Sequence, residues 1–89
     1  MKHITAVKYC HPTMPTAYVV VEGRTEQEAL WNTKKVCTAL RERLPDTAIV
    51  GTPREDEDQR NAYEIPVIIG ECLDTAKAVL AEMVLKGAA

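Results

Sequence analysis

The sequence predicts a two-layer α+β sandwich: a four-stranded, mostly antiparallel sheet with two helices on one of its faces. Three observations carry this expectation. The chain has 89 residues, enough for one small domain spanning 1–89. Four short runs are rich in β-branched or aromatic residues, and two longer stretches repeat their apolar residues at helical spacing. In chain order these segments read ββαββα.

The first strand is read from "HITAVKYC", although its alternation is ambiguous. Ile4 and Ala6 share one parity, while Val7 and Tyr9 share the other. "HPTMPT" supplies a turn with two prolines. "AYVVVEG" is the second strand, and its unbroken apolar run suits a position covered on both faces. The six-residue link makes the pair an antiparallel hairpin. Thr25 then opens a helix. With Glu28 it has capping-box spacing: the hydroxyl accepts the N–H of residue 28, and Glu28 reaches back to the N–H of Thr25. The helix runs to about Leu44, where Pro45 disfavours a further helical residue. Its buried stripe is Leu30, Thr33, Val36, Cys37, Leu40 and Leu44.

"TAIVG" is a short third strand, and "AYEIPVIIG" a fourth, with Ile65, Val67 and Ile69 on one side. A second helix runs from Leu73 to about Lys86. It packs through Leu73, Ala76, Val79, Leu80, Met83 and Val84, with Gly87 as its cap. From the second strand onward the order is the β-α-β-β-α part of a ferredoxin-like sandwich, with the remaining element moved to the start. That permuted layout gives strand order 1-2-4-3. Pro66 opposes it, because a proline in a central strand lacks a ladder donor. A bulge there absorbs the conflict; an edge position for the fourth strand is the other solution.

Composition narrows the function classes. The chain is 46% hydrophobic and 27% charged, ordinary for a globular domain, and without Phe its core must be mainly aliphatic. The net charge of −2 is split, with basic residues concentrated in 1–45 and acidic ones in 46–89. A weakly acidic chain argues against general nucleic-acid binding, which relies on neutralising phosphates. No segment has the ~20 apolar residues of a membrane span, and "MKHITAVKYC" lacks the apolar run of a signal peptide. Three cysteines, Cys10, Cys37 and Cys72, have no motif spacing, which fits reduced thiols and a cytoplasmic location.

No catalytic constellation is legible. The chain has no Ser, and its glycines are isolated, so neither a serine nucleophile nor a phosphate loop is present. Cys10 and His11 adjoin, but neighbours on a strand point to opposite faces. They act together only where the chain bends. His3 and His11 would lie about 26 Å apart along a strand, too far to share one metal ion. "TPREDEDQRN" concentrates four acids, Glu55, Asp56, Glu57 and Asp58. Counted as an EF-hand from Asp56, it has Arg60 at position 5, no Gly at position 6 and Val67 where the bidentate Glu belongs. Neither a metal nor a cofactor is expected. The stretch reads as a solvated turn, or as a charged contact for a basic partner.

Contact residues are expected elsewhere as well. Trp31, the only tryptophan, falls almost opposite the apolar stripe of its helix at 100° per residue. Lys34 and Lys35 flank it, and Lys35 is placed to lie over its ring. The competing expectation is that Trp31 folds back onto a neighbouring loop. Apolar residues on both sheet faces predict self-association, most simply a homodimer; the competing expectation is that a loop or the N-terminal strand closes the second face. The expected function is a non-catalytic protein-binding module, a homodimer that inhibits or regulates another protein, using Trp31, Lys34, Lys35 and Glu55–Asp58. The alternative is a small-molecule binder with its ligand at a dimer interface, held by Arg24, Arg54 or Arg60.

Overall fold

The computed structural model describes residues 4–10, 16–70 and 73–86. It is an α+β fold with an open antiparallel sheet and two helices. The elements are β1 (Ile4–Cys10), β2 (Thr16–Glu22), α1 (Glu26–Arg43), β3 (Ile49–Val50), β4 (Arg54–Glu55), β5 (Ala62–Ile68) and α2 (Leu73–Lys86). Among the described residues the sheet has five strands, where four were expected. They run in the order β1-β2-β5-β3, and β4 also pairs with β5. The added strand falls inside the acidic stretch, where a turn alone was expected. Its two residues, Arg54 and Glu55, lie opposite Glu64 and Tyr63.

Pro66 is accommodated in a central strand by a break in its partner. Gly51 donates its N–H to the Pro66 carbonyl at 2.7 Å, so the nitrogen of Pro66 faces the same side. On that side β3 ends at Val50 and β4 begins at Arg54. The missing donor therefore falls opposite Gly51, just past the end of β3 and before β4 begins, so it interrupts neither short ladder. Gly51 is required there, because a Cβ would stand 2.8 Å from the Pro66 ring.

The ambiguous alternation of the first strand has a similar cause. The β1–β2 register slips between Ile4 and Ala6. This bulge lets Ile4, Val7 and Tyr9 oppose Val21, Val19 and Ala17, all on the same face. Thr5, the extra residue, donates its hydroxyl to Val20 O at 3.5 Å.

One core joins the layers. Ala17, Val19 and Val21 of β2 and Ile65 and Val67 of β5 meet Val36, Leu40 and Leu44 from α1 and its cap, with Ala76, Leu80 and Met83 from α2. Both helices therefore cover the same sheet face. Ala39 is buried as well, and Leu30 is 42% exposed, so the α1 stripe is rotated from the one expected. Leu30 instead lines a surface groove with Pro53 and Tyr63.

Local chemistry fixes the α1 ends. Thr25 is extended and its hydroxyl accepts the Glu28 N–H at 3.1 Å. The expected reciprocal bond is replaced: Glu28 lies 3.7 Å from Arg24 Nε. Glu26 and Glu28 occupy the first turn, and Arg41 and Arg43 the last, each favourable to the helix dipole. Leu44, extended before Pro45, closes the helix by donating its N–H to Leu40 O.

Candidate functional site

Trp31 stands on the outer face of α1 with 62% of its surface exposed. Lys35 Nζ lies 5.8 Å from the ring centroid, the cation–π placement expected from their spacing. Lys34 is exposed on the same helix. The 11–16 turn, the loop onto which Trp31 was alternatively expected to fold, lies mostly outside the described residues. Trp31, Lys34 and Lys35 are thus brought together.

The acidic run is a separate, ordered feature. Asp56 N–H bonds to Ala62 O at 3.0 Å, and Asp58 N–H bonds to Asp56 Oδ1 at 2.9 Å. The loop is an Asx turn closed at its neck. Asn61 completes it in the left-handed conformation at φ 54°, which asparagine tolerates well. Asp56 is only 7% exposed, so this acid points inward, while Glu55, Glu57 and Asp58 face solvent. Asp56 Oδ2 is buried without a hydrogen-bond partner. Among the described residues no group of three or more His, Cys, Asp or Glu side chains can hold a metal ion.

Two asparagines hold the β2–α1 corner, Asn61 from this loop and Asn32 from α1. Asn61 O accepts from Gly23 N–H, and its Nδ2 donates to Arg24 O, each at 3.1 Å. Asn32, buried within α1, donates from Nδ2 to Glu22 O at 3.0 Å. The β2–α1 corner is therefore clamped from two sides. The sequence signal for Asn61 was its place at the end of a turn; for a buried Asn32 on a helix there was none.

A groove of about 390 Å³ also escaped the sequence reading. It is lined by Leu30, Thr33, Lys34, Cys37, Thr38, Arg41, Pro53 and Tyr63. It opens between α1, Tyr63 of β5 and Pro53 in the break between β3 and β4. Only three-dimensional proximity joins Pro53 and Tyr63 to α1. Burial pushes the Cys37 thiol pKa up, and nearby Arg41 partly opposes this. The thiol is therefore held in its neutral form, a poor nucleophile.

Among the described residues no helix lies on the second sheet face. Register places Cys10, Thr16, Ile68 and Ile49 in one row across it, and Lys8, Tyr18 and Pro66 in the next. Ile49 is 59% exposed and Ile68 36%, with Tyr18 and Pro66 half-buried. Val20 on this face is buried within the chain, flanked by Ala6 and Glu64. Arg54 lies 5.2 Å from the Tyr18 ring centroid and 3.8 Å from Glu64, which covers one end of the face.

Cys10 is exposed on this face. The Cys10–His11 pair, His3 and Cys72 cannot be described, because His11, His3 and Cys72 lie outside the described residues. No helix is long and apolar enough to cross a membrane among those residues. Comparison with protein-family models, curated proteins and solved structures gave no match.

Proposed function

We propose that this chain is a non-catalytic protein-binding module that works as a homodimer and regulates or inhibits another protein. The observation that carries it is the uncovered sheet face, where Tyr18, Pro66, Ile68 and Ile49 form an apolar band. A sheet with one face on helices normally presents a polar second face. Here a second copy supplies the missing layer. The permuted ferredoxin-like reading of the fold is part of this proposal, because its helix-free face is the surface such a pair would share.

The outer face of α1 then remains open to a partner, with Trp31 as an aromatic anchor held by Lys35. Glu55, Glu57 and Asp58 offer a separate charged contact suited to a basic surface. Asp56 is spent on the turn and contributes only by shaping that loop. A pull-down comparing wild type with Trp31→Ala, and with a variant neutralised at Glu55, Glu57 and Asp58, tests this assignment. Partner recovery falls at least tenfold in one of them. Equal recovery in both removes both surfaces from the reading.

The small-molecule alternative rests on Arg54, which lies beside the open face and would border a ligand trapped between two sheets. A thermal-shift screen with metabolites and nucleotides separates the readings. A ligand that raises the melting temperature of wild type but not of Arg54→Ala favours the alternative.

A further inference from the structure

We propose that the groove between α1 and the β4 edge docks a short acidic peptide segment of a partner protein, anchored by one bulky apolar side chain. This rests on the protein-binding reading and names the chemistry of one partner surface. The floor is apolar or weakly polar, formed by Thr33, Cys37, Pro53 and Tyr63. At about 390 Å³ it has room for a large side chain, and it lies within the ordinary size range of binding clefts.

The rim decides the charge of the occupant. Lys34 and Arg41 both line the groove, and no Asp or Glu does. Neither belongs to the Arg24–Glu28 or the Arg54–Glu64 ion pair. Two helical turns apart on the basic half of the chain, they set two cations along one apolar floor. A carboxylate on each side of an apolar anchor would meet both cations at the rim, where steering and register rather than raw affinity are gained. Leu30, 42% exposed at the mouth, gives the anchor apolar contact as it enters. An extended segment fits the site because β3 and β4 are short and their outer edges are unpaired in the sheet order.

The test is a selection of random dodecapeptides on the wild-type protein, followed by fluorescence anisotropy with the enriched peptides. The expected result is enrichment of sequences with one bulky apolar residue between acidic ones. Their binding falls at least tenfold in the double variant Lys34→Glu and Arg41→Glu, and in Leu30→Asp. Lys34→Arg retains it. Circular dichroism of each variant shows whether α1 is intact; if Leu30→Asp fails to fold, the charge reversals on exposed rim positions carry the test.

Enrichment of basic or uncharged peptides overturns the proposal. So does binding that survives charge reversal. Laurate quenching or shifting the Trp31 emission, with no peptide enriched, assigns the groove to a small amphiphile instead. Loss of dimer mass in the charge-reversed variant assigns it to a second copy. If natural-partner capture depends on Trp31 but not on Lys34 and Arg41, the groove proposal fails while the protein-binding reading stands.

Discussion

Two side chains carry their consequences locally. Thr25 caps α1 through its hydroxyl, and alanine there leaves the Glu28 N–H without that acceptor. Thr25→Ala is expected to cost about 1 kcal/mol in urea unfolding, the usual worth of such a cap. Asp56 is less ordinary. One carboxylate oxygen closes the Asx turn, while the other is buried and unpartnered. A buried unsatisfied acceptor costs roughly 1–3 kcal/mol. Asp56→Asn keeps the turn acceptor and removes the charge, so it is expected to be neutral or to stabilise by up to about 1 kcal/mol. Asp56→Ala also loses the turn bond and should be the less stable of the two. An Asn variant weaker than wild type by more than about 2 kcal/mol would instead show that a cation compensates this carboxylate.

At the level of elements, the breaks in regularity explain more than the regular parts. Gly23 turns β2 into α1 and donates to Asn61 O. A Cβ at Gly23 would overlap the backbone of Ala29 and lie 2.7 Å from the Glu28 carbonyl carbon. Backbone at a helix start cannot move aside as a flexible side chain would. Gly23→Ala is therefore expected to destabilise by roughly 2 kcal/mol or more in denaturant unfolding, in the upper part of the range for steric overpacking. An unchanged midpoint would mean that the corner is looser than its two asparagine clamps imply.

The same breaks set the limit of what the sequence revealed. The bounds of α1 were legible because capping and proline chemistry act within a turn of the chain; α2 was legible from its helical spacing, and its expected cap, Gly87, lies outside the described residues. The buried side of β5 was legible because Ile65, Val67 and Ile69 alternate. The phase of β1 was hidden, since a one-residue bulge at Thr5 reverses parity without any compositional mark. β4 was hidden because two residues flanked by charge carry no periodicity. Trp31 was legible as an outward residue from helix geometry alone. The groove was not, because Leu30 was counted into the core stripe and its far wall comes from Pro53 and Tyr63.

For the whole molecule, the question is what lies against the second sheet face. The apolar band runs from Ile49 through Ile68, Pro66 and Tyr18, bordered by Lys8 on β1 and by Glu64 with Arg54 near the other side. A stable dimer interface removes about 800 Å² from each partner, an extent that would need this face rather than a single edge. Small chains bury a limited fraction of their own surface, and pairing adds to it. Stability that depends on protein concentration is the expected signature, with a higher unfolding midpoint at higher concentration.

The most direct measurement is the mass in solution, by size-exclusion chromatography with light scattering, of wild type and Ile68→Glu. Wild type should run at twice the 9.9 kDa chain mass at micromolar concentration. Ile68→Glu, which places a charge in the centre of the apolar band, should run as a folded single chain. A wild type that keeps the single-chain mass across the same concentrations, or a dimer that the Ile68→Glu change leaves intact, would contradict the account.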